Sequence, residues 1–333
     1  MIEGEIEMIK IGILGYGNLG KGVEVAIKDN PDMELVAIFT RRNPKDIKTI
    51  TNVKVESVND IEKYKNKIDV LVLCGGSATD LPVQTPEYAK MFNVIDSFDT
   101  HAKIYEHFNN VNARALETNH VALISCGWDP GAFSLNRLMA ESFLPNGNTY
   151  TFWGPGVSQG HSDAIRRIEG VKDAKQYTIP VEESINKVRS GSNPELSVRD
   201  KHKRVCYVVL HQDANPELVK EQIINMPNYF DEYDTEVNFV SEEELKKNHS
   251  KMPHGGFVIR SGKTGINSET NQIIEYSLNL ESNPEFTASI LLSYSRAIYR
   301  LAEKKDYGAK TVFDIAPSLL TRYTQEELLH KML

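Results

Sequence analysis

The residues Gly15-Tyr16-Gly17-Asn18-Leu19-Gly20 follow directly on the apolar run Ile9–Leu14. A strand entering a Gly-x-Gly-x-x-Gly turn and then a helix has one well-defined chemical use. The first glycine permits the tight turn and the second lets backbone approach a pyrophosphate. The third allows close helix packing, and the new helix points its N-terminal amides at the anion. About 20 residues on, where an NAD site carries Asp or Glu for the ribose hydroxyls, this chain has Thr40-Arg41-Arg42. Two guanidinium groups and a hydroxyl suit a 2′-phosphate, which a carboxylate would repel. These residues imply NADP as cofactor. Cys74-Gly75-Gly76-Ser77-Ala78-Thr79, after a third apolar run, adds small residues and free amides at a strand C-terminus, the rim on which open α/β sheets bind ligands.

Two further loops carry carboxylates. Asp96-Ser97-Phe98-Asp99 and Cys126-Gly127-Trp128-Asp129-Pro130-Gly131 both follow candidate strands, so Asp99 and Asp129 are placed on the same rim and could approach one cleft beside the nicotinamide. His161-Ser162-Asp163 invites a hydrolytic reading, but adjacent residues cannot form that relay and no Gly-x-Ser-x-Gly elbow is present. His249 and His254 lie in a candidate loop without a metal-site spacing, and no metal is expected.

Elements that would position these groups can be read from the apolar pattern. Runs Ile9–Leu14, Leu35–Phe39, Val70–Leu73, Val94–Asp96 and Val121–Ser125, with helical stretches such as Gly22–Lys28 and Tyr88–Phe92 between them, predict a parallel sheet covered on both faces. After Gly131 the pattern changes. Ala132–Phe143 reads as a helix. Tyr150–Trp153, Arg204–Leu210, Thr235–Val240, Phe257–Arg260 and Ile273–Leu280 read as strands with few helices between them, a mainly antiparallel sheet. Loops are expected at Arg189–Pro194 and Asn248–Gly256, and a helix from Asn283-Pro284-Glu285 to about Glu303. The fold class is therefore α/β: a Rossmann-like doubly wound sheet over residues 8–131, an α+β substrate and dimerisation domain over 132–283, and C-terminal helices over 284–333 packing back on the first domain.

Composition limits the partners. With 333 residues, 40% hydrophobic and 25% charged, the chain can build a sizeable core. A net charge of −8 disfavours nucleic acid or an acidic membrane surface as partner. Three scattered cysteines suggest neither a disulfide framework nor a zinc site. No signal peptide or membrane-length apolar run is seen, so a cytoplasmic location is expected.

The motifs together resemble the meso-diaminopimelate dehydrogenases. The residues that carry the likeness are Gly-Tyr-Gly-Asn-Leu-Gly (15–20), Thr-Arg-Arg (40–42), Gly-Ser-Ala-Thr-Asp (76–80) and Gly-Trp-Asp-Pro-Gly (127–131). Phe-Trp-Gly-Pro-Gly with Ser-Gln-Gly-His-Ser-Asp (152–163), Met-Pro-His-Gly-Gly (252–256) and Asn-Pro-Glu-Phe-Thr-Ala-Ser (283–289) complete it. The resemblance implies NADP-dependent oxidative deamination of the D-centre of meso-2,6-diaminopimelate. It also implies that Asp99, Trp128, Asp129 and backbone near Gln159-Gly160 hold the D-centre. Trp153 would line the cavity, while Thr178, Arg204, His254 and Asn283 grip the L-centre. A homodimer is expected. Lys103 stands where the family leads one to expect an acidic residue, and residues 1–7 extend beyond its usual start. Other NADPH oxidoreductases, such as dihydrodipicolinate reductase or homoserine dehydrogenase, and a non-catalytic NADPH sensor are the competing readings. The segments at 128–129 and 152–163 do not resemble the two enzyme families.

Overall fold

A computed structural model describes residues 8–333; the extension over residues 1–7 lies outside the described residues. It separates into two compact units. One takes the described residues through Leu135 together with Pro284–Leu333, and the other is Asn136–Asn283.

In the first unit, β1 (Ile9–Leu14), β2 (Met33–Thr40), β3 (Val55–Ser57), β4 (Val70–Leu73), β5 (Asn93–Asp96) and β6 (Val121–Leu123) are all parallel to their neighbours. Near-continuous apolar runs such as Val70–Leu73, buried on both faces, are what a sheet sandwiched between helices requires. α1 (Asn18–Ala26), α2 (Leu81–Tyr88) and α3 (Ile104–Glu117) supply the cover. The stretch Tyr88–Phe92, expected as a crossover helix, is instead the end of α2 and the turn behind it. Pro82 at the helix start sets the element earlier, and Met91 and Phe92 amides bond back to the Tyr88 carbonyl. α4 (Ala132–Phe143) starts from the 127–131 loop, whose carbonyls accept its first amides, and the division between units falls within it.

The second unit has two sheets. β7 (Gly147–Trp153), β12 (His254–Thr264) and β13 (Thr270–Leu280) form an antiparallel sheet in the order β13-β12-β7. β8 (Gly156–Val157), β9 (Val171–Pro180), β10 (His202–Leu210) and β11 (Asp234–Phe239) form the other, ordered β11-β10-β9-β8. The last pair, β10 with β11, is parallel, so this sheet is mixed. Helices are more frequent here than the sequence pattern predicts: α5 (Gln159–Arg166), α6 (Glu182–Arg189), α7 (Val198–Lys201), α8 (Pro216–Ile224) and α9 (Glu242–Asn248) separate the strands. They are short, polar segments of one or two turns. Capping side chains at Ser197, Asn215 and Ser241 start three of them, so apolar periodicity alone gives little sign of them.

The chain then returns to the first unit through α10 (Asn283–Glu303) and β14 (Gly308–Lys310), which adds in parallel to β6 and completes the order β14-β6-β5-β4-β1-β2-β3. Ala288, Leu291, Leu292, Ala297 and Ile298 of α10 join Ile11, Ile13 and Val72 of the sheet in one buried cluster. α10 meets α1 at Gly22, where a Cβ would press on the Pro284 carbonyl at 3.0 Å and the Ala288 side chain at 3.1 Å.

A buried ion pair fixes that return. Arg296, 3% exposed, grips Asp32 with Nε at 2.5 Å and Nη2 at 2.7 Å, and also donates to Asn30 and to the Leu320 carbonyl. Burial pushes the Asp32 carboxyl up, but hydrogen bonds and charge from Arg296 hold it below the ordinary carboxylate value. The folded pKa is thus depressed, so the pair stabilises above the unfolded value near 4 and its contribution disappears as pH falls through the folded one. Arg296→Met should cost about 3 kcal/mol at pH 7, measured by urea unfolding, because Asp32 is left half-buried and uncompensated. The deficit should shrink as the pH is lowered below about 4; a deficit that stays constant there would show that charge is not its source.

Candidate functional site

The first unit carries the glycine turn. Gly15 has φ +98°, in the region that favours glycine, and its amide donates to the Phe39 carbonyl at 2.9 Å. A Cβ at Gly20 would collide with the Gly15 carbonyl oxygen, so the helix can lie this close to the turn only with glycine there. A Cβ at Gly17, the cap of α1, would meet nothing within 4 Å. Open space lies beside the helix N-terminus, with Tyr16, Asn18 and Leu19 completing the turn.

At the end of β2, Thr40 is buried and its Oγ1 accepts from the Arg42 amide at 3.1 Å, while Arg42 Nη2 donates to the Tyr16 carbonyl at 2.8 Å. Arg41 forms a fork with Asp80, Nη1 to Oδ1 at 2.8 Å and Nη2 to Oδ2 at 3.1 Å. Asp80 also accepts from the Gly76 amide at 2.9 Å; that bond, joined by the smaller effect of Arg41, holds its carboxyl below the usual range against the effect of burial. The Cys74–Thr79 loop is therefore joined to the β2 loop by Asp80, which in the sequence stands out only as part of the family resemblance. A glycine cradle open above a helix N-terminus, beside guanidinium groups, fits the pyrophosphate and 2′-phosphate of NADP.

The two carboxylate loops also lie in this unit, after the adjacent strands β5 and β6. Asp96 is fully buried and gathers four donors or partners: Thr85 Oγ1 at 2.7 Å, His107 Nε2 at 2.8 Å, the Phe98 amide at 3.0 Å and the Ser125 amide at 2.8 Å. It fixes both loops at their base. Asp99, three residues on, is exposed; Ser77 Oγ donates to its Oδ1, and its amide donates back to Ser77 Oγ at 2.9 Å. Trp128 is buried edge-on against Phe133, with ring centroids 5.4 Å apart. Gly131 has φ +130°, and a Cβ there would run into Gly127, so the loop closes on itself and holds Asp129, half-buried, beside Trp128.

The second unit gathers the remaining residues. Thr178 on β9 and Arg204 on β10 are direct register partners, and Arg204 Nη1 donates to Thr178 Oγ1. Both are buried. The Arg204 guanidinium lies 3.9 Å from the Tyr233 ring centroid, and its Nε has no hydrogen-bond partner among the described residues. Such a cation, desolvated and incompletely paired, is suited to a carboxylate. Lys201–Arg204 reads as a basic cluster in the sequence, yet the alternation of β10 turns Arg204 inward.

Trp153, at the end of β7, has its amide held by His202 Nε2 at 2.8 Å, and the two rings stack at 5.3 Å. Burial, with Arg204 and Lys201 nearby, pushes the His202 pKa down to about 3, so the ring stays neutral and its Nε2 stays an acceptor. His202 and Tyr233 are the site-adjoining residues that sequence reasoning missed. For His202 a signal existed: it sits two residues before Arg204 on the same face of a strand.

Gln159 and Gly160 open α5. Gln159 Nε2 donates to Met252 Sδ at 3.3 Å, and a Cβ at Gly160 would meet nothing within 4 Å. The Asn283 amide donates to the Met252 carbonyl at 3.0 Å, so Met252 joins the segments of Gln159, His254 and Asn283. His254 begins β12 rather than lying in a loop: a Cβ at Gly156 would press on its Cα at 2.5 Å and its Cγ at 2.6 Å. Strand pairing recruits Gly255 and Gly256 although glycine weakens the strand pattern. Among the described residues no group of three or more His, Cys, Asp and Glu is placed to hold a metal ion, and no helix is long and apolar enough to cross a membrane.

Residues 127–282 match the family model described as the diaminopimelic acid dehydrogenase C-terminal domain, and residues 9–73 that of the dihydrodipicolinate reductase N-terminus. The chain is 64% identical to the meso-diaminopimelate D-dehydrogenase of Ureibacillus thermosphaericus over 325 residues, 98% of this chain and 99% of the other. Among solved structures it resembles the DAP dehydrogenase of C. glutamicum in complex with DAP, with a TM-score of 0.92 and 44% identity, covering 98% and 100% of the two chains. An engineered D-amino acid dehydrogenase bound to NADP+ gives a TM-score of 0.87 at 42% identity, with the same coverage.

Proposed function

The chain belongs to the meso-diaminopimelate D-dehydrogenase family, and from that membership we infer that it is a diaminopimelate dehydrogenase serving lysine biosynthesis. It converts meso-2,6-diaminopimelate, water and NADP+ to L-2-amino-6-oxopimelate, ammonium, NADPH and a proton. The observation that carries this reading is near-full-length identity of 64% to such an enzyme. The glycine turn and the Thr40–Arg42 segment agree with it. The non-catalytic sensor and the alternative oxidoreductases account for neither the relatives nor the match over residues 127–282.

The roles of individual residues are proposals. The Gly15–Gly20 turn holds the pyrophosphate, Thr40, Arg41 and Arg42 the 2′-phosphate, and Cys74–Thr79 line the nicotinamide side. NADP, when bound, supplies the hydride acceptor. Asp99, Trp128, Asp129 and the Gln159-Gly160 backbone hold the D-centre; Thr178, Arg204, His254 and Asn283 hold the L-centre, and Trp153 walls the cavity. Hydride can leave the D-carbon only once its ammonium has lost a proton, and Asp99 or Asp129 accepts that proton. Water then adds to the imine and ammonia leaves. Fixing the L-end by directional bonds decides which α-hydrogen is presented, so stereochemical choice becomes a matter of geometry.

Residues 8–131 would then be the dinucleotide-binding domain, 132–283 the substrate and dimerisation domain, and 284–333 the C-terminal segment completing the first. A homodimer suits the exposed Leu138 and Phe143 of α4, 45% and 71% exposed, which leave apolar surface to cover. A cytoplasmic location follows from the substrate and the cofactor.

Purified protein given NADP+ and meso-diaminopimelate should form NADPH, while the L,L-isomer should give none. Silence with the meso compound, under conditions where NADP+ binds, would overturn the reading.

A further inference from the structure

We propose that Glu24 is a positioning residue for recognition of the cofactor's 2′-phosphate, acting through Tyr16 on Arg42. The proposal rests on the reading of Thr40–Arg42 as the phosphate pocket. Glu24 lies on α1 and is 1% exposed. Its Oε1 accepts from the Ile50 amide at 2.9 Å, the Thr51 amide at 2.6 Å and Thr51 Oγ1 at 2.6 Å, and its Oε2 accepts from the Tyr16 hydroxyl. A carboxylate with four donors in the interior is an uncommon choice for filling space, since an apolar side chain would do so without desolvation cost. What the carboxylate achieves is a fixed relation between three segments: the cofactor turn, the helix that follows it, and the 50–51 loop beyond β2.

Tyr16 is where that relation reaches the pocket. Its phenol is held by Glu24, and its carbonyl accepts from Arg42 Nη2 at 2.8 Å, while the Arg42 amide bonds Thr40 Oγ1. Tyr16 is thus tied at both ends, and Arg42 leans on the tied residue. The protonation states support a permanent bond. Burial, then Glu24, push the phenol up to about 12, and the donors to Glu24 outweigh burial and hold its carboxyl below the ordinary value. An arginine on an exposed loop otherwise loses much rotamer freedom when it engages a phosphate. Holding Arg42 beforehand reduces that loss, and the benefit applies only to a cofactor that carries the 2′-phosphate.

That restriction makes the test selective. Glu24→Gln keeps the shape but has a single acceptor oxygen, so it cannot serve all four donors. Tyr16→Phe removes only the phenol and keeps the ring. Dissociation constants for NADPH and NADH should be measured by calorimetry on the full-length protein, with Arg42→Ala as reference. Both variants should weaken NADPH about five- to tenfold more than they weaken NADH, the size expected from losing one well-placed hydrogen bond. If Arg42→Ala is selective against NADPH but both variants weaken the two cofactors equally, or neither, the role of Glu24 is overturned and the pocket reading stands. If Arg42→Ala leaves the NADPH to NADH ratio unchanged, the pocket reading itself fails and the proposal falls with it. Should Glu24→Gln not fold, Tyr16→Phe decides the matter, because its ring and backbone are retained.

Discussion

Replacing one of the two rim carboxylates by asparagine should lower kcat at least about a hundredfold, the usual contribution of a placed general base. Asparagine preserves size and can still accept a hydrogen bond, but it does not take a proton at neutral pH. The D-ammonium must lose a proton before hydride can leave, so only the carboxylate that receives it should register this loss in kcat. The other, if it serves only to attract the ammonium, should raise KM with kcat little altered. The surroundings of the two differ. Asp99 is exposed and tied to Ser77 through Oδ1 and its own amide, leaving Oδ2 oriented by that bond. Asp129 is half-buried in a loop closed by Gly127 and Gly131, next to the buried Trp128. Steady-state kinetics of Asp99→Asn and Asp129→Asn with meso-diaminopimelate, alongside NADPH binding to confirm an intact cofactor site, would assign the base. If both variants kept kcat within about fivefold of the parent, well under a general-base effect, neither carboxylate would be the acceptor.

What could be read in advance follows from where apolar pattern and function coincide. β1 is legible to the residue because a mostly apolar run, broken only by Lys10 and Gly12, ends on a glycine that needs positive φ, and both signals are local. β9 is not. Its buried positions are Val171, Ala174, Gln176 and Thr178, so half of the inward face is polar and the alternation that marks a half-buried strand leaves only a weak hydrophobic trace. Thr178 was accessible only through likeness to a family. His254 was hidden for a related reason, since the glycines after it weaken a strand that pairing with β7 and β13 sustains. The supporting groups were harder still. Asp96, Glu24, His202 and Tyr233 each act through a partner remote in sequence, such as Ser125, Thr51, Trp153 or Arg204, and no spacing rule reaches that far. The same long-range pairing explains Arg204, whose charged neighbours Lys201 and Lys203 suggest a solvated face until the register with Thr178 is seen.

Arg204→Ala should raise KM for meso-diaminopimelate about a hundredfold, with kcat reduced much less and NADP affinity unchanged. Removing one partner of a desolvated charge pair costs about 2–5 kcal/mol, and the middle of that range is a few hundredfold in affinity. The loss should fall mainly on KM because the L-end, which this residue is proposed to hold, undergoes no chemistry, so the bond is equally strong in ground and transition states. Cofactor binding should be spared, since the pyrophosphate and phosphate contacts are proposed to come from the Gly15–Gly20 and Thr40–Arg42 segments. Two structural features make the arginine hard to replace. Its Nη1 is already committed to Thr178, and its plane lies over the Tyr233 ring, which fixes the direction in which Nε and the remaining amine face. Arg204→Lys keeps the charge but loses the fork and the stacking, so it should recover only part of the affinity. A truncated substrate supplies the complementary measurement. D-lysine, which lacks the second carboxylate, should be a poor substrate of the parent and should lose little more on Arg204→Ala. An unchanged KM for meso-diaminopimelate in that variant, or an equal penalty for both substrates, would mean that Arg204 does not hold the distal carboxylate.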